Sequence, residues 1–356
     1  MQLTRYKLGD LIVQRREKNE GYDVPIRGVS REGFIKPKQQ EADTSIYNVF
    51  YRNDFVFNPA RMELNSIALN LEFDKALCSS LYEIFYVKDE SIVLPEFLNL
   101  HIKRDEFARH CEYIGSGSAR EYCRVAQISE FDIDLPPIDE QQKIVDANRL
   151  LIKRIEINKK LIATLEQTAQ TLYRHTFVDN IDPNNLPQGW RMGTLGEVCT
   201  FKYGKLPSKH EKSVDYPYPV FSGYAITGYT DEYTLDDSEI VVIARGDAGT
   251  GKICMSPEKC FLSNLAIAAI ANDRDMKLYL YYHLLTLDTM SLRSGTAQAQ
   301  ITISSLEPFE VILPPRAICK KFSDDMKVLL KNQENYTTEN QTLTQMQTLL
   351  LSKMGV

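Results

Sequence analysis

The stretch RGDAGTGKI, Arg245 to Ile253, sets Gly246 and Gly251 around four residues and follows the second glycine with Lys252. Glycines at this spacing let backbone N–H groups approach a phosphate, and a lysine after them can reach its oxygens, so the pattern comes close to a nucleotide-binding loop. It breaks where the chemistry needs it. The position that should offer a hydroxyl to magnesium is Ile253, and the following CMSPEKC contains Pro257, which denies the phosphates a helix N-terminus. The stretch reads better as a glycine-rich loop after the strand-like run EIVVIA, Glu239 to Ala244, bringing Arg245 and Lys252 to another polyanion, or as an ordinary hairpin turn. A nucleotide-binding enzyme using the Gly246–Lys252 loop is kept as an alternative.

No other catalytic constellation is present. The histidines at 101, 110, 175, 210 and 283 show no HxxxH or HExxH spacing and lie near no cysteines in a metal-ligand pattern. There is no GxSxG elbow, no GxGxxG after a strand, and no NPPY-like or DPPY-like loop to hold a flipped base. Seven cysteines without a CxxC pair argue against both a disulfide framework and a zinc ribbon, and read as reduced core residues. The expectation is a chain without a catalytic site or a metal and with no cofactor bound directly.

Basic residues interleaved with aromatics and glycines suit nucleic acid better, since Arg and Lys on loops can hold phosphates and read base edges. In the second half these are Lys202, Tyr203, Lys205, Lys209, His210 and Tyr224, with Arg245 and Lys252. In the first half they are Arg27, Arg31, Lys36, Lys38 and Arg61, with Arg61 and Arg245 as a candidate pair, each following a strand. Arg120 and Gln298 join them because they correspond at a repeat offset described next. The net charge of -6 does not decide the matter, because local basic faces can exist on an acidic chain.

The elements that would carry these residues occur twice. SGSA, Ser116 to Ala119, returns as SGTA, Ser294 to Ala297, and the LPP at Leu135 returns at Leu313, both 178 residues later. After each LPP comes a seven-residue apolar frame: Ile144, Leu151, Leu165 and Leu172, then Phe322, Leu329, Leu343 and Leu350. Shared register across three features implies two copies of one unit, a globular part followed by a long helix, with pseudo-twofold symmetry. YKLGDLIV, from Tyr6, resembles RMGTLGEVCTF, from Arg191, at an offset of 187, so nine residues changed inside the globular part, between fixed ends.

That interior mixes strand-like NDFVFN, Asn53 to Asn58, and EIVVIA with helical patterns over 94–107 and 276–286. From about Asp139 to Phe177 there is no Gly or Pro, which predicts one helix of roughly 55 to 60 Å at ~1.5 Å per residue. A second runs from about Cys319 to Met354. Asn148 and Asn158 interrupt the first apolar seam, and Gln333, Asn340 and Gln347 the second, as polar residues that fix register in a coiled coil do. An intramolecular antiparallel pair buries both stripes most simply; two separate helices, each packed on its own globular part, would also do so. The longest apolar run, Leu265 to Ala271, is too short to span a bilayer, and the first fifteen residues lack the apolar run of a signal peptide, so a cytoplasmic protein with no membrane partner is expected.

Taken together, LPPIDEQQKIV from Leu135, LPQGWRMGTLGEV from Leu186, SGTAQAQI from Ser294 and the two-copy layout resemble the DNA-specificity (S) subunit of a type I restriction-modification system over essentially the whole chain. The resemblance implies an α+β chain: a target-recognition domain over 1–137, a conserved long helix over 138–180, a second target-recognition domain over 181–312 and a second helix over 313–356. It further implies a non-catalytic reader of a bipartite, asymmetric target in double-stranded DNA, its helices a ruler for the spacer. Two N6-adenine methyltransferase (M) subunits and restriction (R) subunits would be the partners, bringing S-adenosylmethionine, ATP and Mg. At the first helix junction Glu140 and Gln141 are candidate partner contacts, and the second junction, LPPRAICKKF, lacks that pair. A coiled-coil adaptor that binds only protein is the remaining alternative.

Overall fold

The computed structural model describes residues 2–37, 43–115, 122–208, 215–246, 249–289, 292 and 300–354. The chain forms two compact units, residues 1–158 with 338–356, and residues 159–337, so each unit includes a length of both long helices.

In the first unit strand Thr4–Lys7 pairs antiparallel with Asp132–Leu135, Thr4 opposite Leu135. The LGD of the sequence repeat then makes one helical turn, Leu8–Leu11. Leu8 is buried, the Gly9 N–H donates to Ser129 O at 2.9 Å, and Asp10 accepts from the Lys7 N–H at 3.4 Å. A Cβ on Gly9 would lie 2.9 Å from Ser129 Cβ, which accounts for the glycine. Strand Ile12–Arg15 follows and edges an antiparallel sheet in the order Ile12–Arg15, Glu83–Val87, Phe55–Phe57, Ile67–Leu69. Phe55, Phe57, Phe85 and Phe97 form its buried core with Leu8 and Val145.

The second unit repeats this plan. Strand Arg191–Thr194 pairs antiparallel with Glu310–Leu313, and the turn Leu195–Val198 places Gly196 N–H on Glu307 O at 2.9 Å and Glu197 under the Thr194 N–H at 3.1 Å. Its sheet runs Cys199–Tyr203, Ala266–Ala271, Ile240–Ile243, Ile253–Met255, the same order of first, last, second and third strands. What differs lies between those strands. The first unit adds the hairpin Gly28–Ser30 with Gly33–Ile35 and the pair Asn48–Tyr51 with Lys75–Cys78. The second adds three strands, in the order Ala225–Thr230, Tyr218–Ser222, Phe261–Leu262. The LGD and LGE motifs, the most obvious likeness between the copies, are therefore architectural.

One expected helix is divided. The pattern over 94–107 forms Pro95–Ile102 and Asp105–Gly115, broken where the Arg104 N–H turns back to His101 O at 3.1 Å and the Lys103 ammonium donates to Ile67 O at 2.7 Å. Its counterpart in the second unit is Lys277–Thr286.

The long helices span Ile138–Phe177 and Arg316–Lys353. Each starts against the carbonyl of the second LPP proline: Pro137 O accepts from the Glu140 and Gln141 N–H groups, and Pro315 O from those of Ile318 and Cys319. In the first unit the two helices pair antiparallel, since Gln347 donates to Asn148 at 2.9 Å while Glu339 takes Arg154 at 2.7 Å and Asn158 at 2.9 Å. In the second unit Gln333 donates to Glu166 at 3.0 Å, and Phe322 stands edge-on to Tyr173 and Phe177. Helix ends also dock on globular cores, Val145 and Met354 in the first unit, Ala169, Tyr173 and Met326 in the second. Helix pairing and docking on a globular part thus share the apolar stripes. All seven cysteines are free thiols; six are buried, and Cys254 is partly so.

Candidate nucleic-acid interface

In the first unit three pieces of chain converge on a groove of about 550 Å³. The hairpin Gly28–Ser30 with Gly33–Ile35 turns at Arg31 and Glu32, where Gly33 has φ +126, a value that favours glycine. The segment Pro59–Leu64 is a pair of 3-10 turns kinked at Arg61, entered through Asn58, whose side chain accepts from the Ala60 N–H at 3.1 Å, and left through the left-handed Asn65. It carries Arg61. The third piece is Lys103, whose ammonium donates to Arg31 O at 3.2 Å as well as to Ile67 O, tying the hairpin tip to the sheet. Burial and the nearby Arg31 charge push the Lys103 amine down to about 8. Lys103 was not among the residues singled out in the sequence; it sits in a run of charges, and nothing local marks it as half-buried.

Ion pairing sorts the arginines of this unit. Arg5, Arg15, Arg52 and Arg124 face Asp134, Asp54, Asp74 and Glu83, and Arg104 and Arg109 share Glu106. Arg149 pairs with Glu96, Arg154 with Glu339, and Arg16 donates to Gln14. Arg27 lies 4.8 Å over the Phe73 ring and donates to Ile26 O, lining a second hollow with Lys36 and Tyr22. Among the described residues, only the Arg31 and Arg61 side chains of this unit's arginines have no such partner, and both line the groove.

In the second unit the glycine-rich stretch is a hairpin connection. Strands Ile240–Ile243 and Ile253–Met255 pair antiparallel, the Gly251 N–H donates to Ile243 O at 2.8 Å, and the Ile243 N–H to Lys252 O at 2.9 Å. A strand, not a helix, follows Lys252, so the nucleotide-loop alternative lacks its helix N-terminus and is set aside. Lys252 instead stands 4.1 Å over the ring of Tyr224, whose other neighbour is Gly249: a Cβ there would lie 3.1 Å from the ring. Tyr224 follows Gly223, φ +64, at the turn between Tyr218–Ser222 and Ala225–Thr230, and is 54% exposed. Arg245 is exposed and lacks a side-chain partner among the described residues, whereas Arg174, Arg191, Arg274 and Arg316 are paired. Arg61 and Arg245 occupy the same connection in the two units, between the second and third strands of the sheet in chain order.

The other candidates separate. Lys202 and Lys205 are exposed, but the Tyr203 hydroxyl accepts from the Ile303 N–H at 3.0 Å and so caps a helical turn. Lys38, Arg120, Lys209, His210, Gln298 and both SGSA and SGTA lie outside the described residues. Gln141 requires a correction. It is 0% exposed, accepts from the Leu94 N–H at 3.0 Å and donates to Ile92 O and Pro136 O, both at 2.9 Å, so no polar atom is left for a partner. Its counterpart Cys319 is equally buried, and the Glu-Gln pair missing from the second junction is in that half a difference of core packing. Glu140 is exposed and meets Lys143 at 2.7 Å. Among the described residues no cluster of His, Cys, Asp and Glu could hold a metal ion, and no helix is long and apolar enough to cross a membrane.

Two copies of one sheet, each carrying on the same connection an exposed arginine with no side-chain partner among the described residues, describe a duplicated protein. Residues 9–167 and 187–345 each match the type I restriction modification DNA specificity domain, the second match displaced by 178 at both ends. The chain belongs to that family. It is 22% identical over 355 positions to the HindI specificity subunit of Haemophilus influenzae, covering 74% of this chain and 77% of that one. It is also 22% identical over 296 positions to the MjaIX specificity subunit of Methanocaldococcus jannaschii, covering 74% and 68%. In fold it resembles the S subunit from M. genitalium, with a TM-score of 0.68 at 16% identity over 100% of this chain and 96% of that one. A structure described as showing complex assembly and conformational transition of the type I R-M system matches with a TM-score of 0.52 at 20% identity, over 99% and 97%. The chain is a DNA-recognising specificity subunit, the non-catalytic part of its system, and not a purely protein-binding adaptor.

Proposed function

We propose that the chain reads a split, asymmetric DNA target, one half with each unit, and recruits two N6-adenine methyltransferase subunits and restriction subunits that perform the chemistry. The observation that carries the two-half reading is the repeated sheet with Arg61 and Arg245 in one structural position. Between the shared strands the two units are built differently, a hairpin and a two-stranded pair in one and a three-stranded sheet in the other, so the half-sites should differ in sequence. In this reading S-adenosylmethionine, ATP and Mg belong to the partner subunits, and the chain works in the cytoplasm.

Recruitment is supported by apolar side chains left open on the first unit's share of the long helices: Leu150 at 69% exposure, with Ile152, Ile157, Met346 and Leu349. Exposed apolar residues clustered on helices suit docking to another protein. The test is single-molecule sequencing of DNA from cells expressing the chain with its cognate methyltransferase, against methyltransferase alone. N6-methyladenine at one split motif, only with the chain present, is the expected result; identical methylation in both strains would remove the proposal.

A further inference from the structure

We propose that the groove between Arg31, Arg61 and Lys103 seats the DNA sugar-phosphate backbone, and that Arg31 and Arg61 grip phosphates without reading bases. The inference rests on the reading of the first unit as a DNA reader and assigns a separate task to this part of it.

Shape and charge together carry the argument. Base edges lie at the bottom of the DNA grooves and are reached by side chains that protrude, whereas the phosphodiester chain forms a ridge that fits a hollow. Val29, Ile35 and Leu64 give the hollow apolar lining, and Leu64 stays 58% exposed, available to the sugar carbons. Three cations stand against the single carboxylate of Asp105 among the lining residues. Among the described residues, the unit's other arginines are matched to acids or held by other groups; here two are left open in one place. A planar guanidinium presents paired N–H groups to phosphate oxygens, so both can bind without rearranging the groove.

Lys103 contributes by position. Its ammonium is committed to two carbonyls, one of them Arg31 O, and so holds the hairpin tip that carries Arg31 over the groove. The geometry therefore divides the labour: affinity without sequence information comes from the concave face, and specificity from other residues of the unit.

The experiment is a salt titration of duplex-DNA binding by the full-length chain, as wild type, Arg31→Gln, Arg61→Gln, the double variant, and Arg52→Gln as a paired-arginine control. Circular dichroism checks folding; all are surface changes. Each phosphate contact releases condensed counterions, so each groove variant should lower the slope of log K against log salt by about one, and the double variant by about two. Arg52→Gln should leave the slope unchanged. In cells, the groove variants should methylate the same motif at a smaller fraction of its sites. Binding by wild type with unchanged slopes in the variants overturns the phosphate seat alone, as does a motif relaxed at particular bases. Failure of wild type to bind DNA overturns the reader itself, and the seat with it.

Discussion

His101 and His283 occupy the same turn of equivalent helices, each four residues after an aromatic ring that it packs against, Phe97 at 5.1 Å and Tyr279 at 5.8 Å between centroids. Each has a buried Nε2 without a hydrogen-bond partner among the described residues, and burial pushes each ring down to about 4. The folded state then binds fewer protons than the unfolded state below the ordinary value of 6.5. Stability from these rings is complete above that pH and is lost as the pH falls toward 4.

For each ring the loss should be on the order of 1.5 kcal/mol between pH 6.5 and 5. Urea unfolding of wild type and of the His101→Gln, His283→Gln double variant at those two pH values measures it. The double variant should show the flatter dependence. Equal pH dependence in the two proteins would mean that the rings do not titrate with folding.

Asn148 and Gln347 meet in the helix seam of the first unit. Asn148→Leu leaves the Gln347 amide without its partner and should cost about 1 to 3 kcal/mol in urea unfolding. The double change to leucine should recover most of that, because both polar groups are then gone. No recovery would show that the pair is not the source of the cost.

Gln141→Leu removes three hydrogen bonds in the first unit and should destabilise it by roughly 2 to 4 kcal/mol, whereas Glu140→Ala should leave stability nearly unchanged. If Glu140 contacts a methyltransferase, only its variant should weaken co-purification while leaving the unfolding midpoint in place.

Tyr224 is held between Lys252 and Gly249 at a hairpin tip, where 54% of it is exposed, as a residue that reads bases would need. Tyr224→Ala should relax one half of the methylated motif and leave the other unchanged, as read by sequencing of genomic DNA. Gly249→Val should do the same through displacement of the ring. A motif unaltered by both changes would exclude Tyr224 from base reading.

The repeat offset, both long helices and their polar interruptions were legible in the sequence because each depends on local periodicity. Asn148, Asn158, Gln333 and Gln347 all make hydrogen bonds in the helix seam. Arg61 and Arg245 could be paired because both follow a strand. Three things were hidden because they depend on chain segments far apart in sequence. The carbonyls that hold the Lys103 ammonium at the helix break lie 36 and 72 residues away. The burial of Gln141 is set by Ile92 and Leu94, and Tyr203 serves as a cap only because Ile303 comes beside it. An isolated charge, amide or phenol carries no sign of which of these fates awaits it.

The most direct test of two independent readers replaces residues 190–312 with the corresponding domain of another specificity subunit and maps N6-methyladenine in cells that carry the cognate methyltransferase. One half of the motif should change to that of the donor while the other half is retained. A motif wholly unchanged, or changed in both halves, would contradict the assignment of one half-site to each unit.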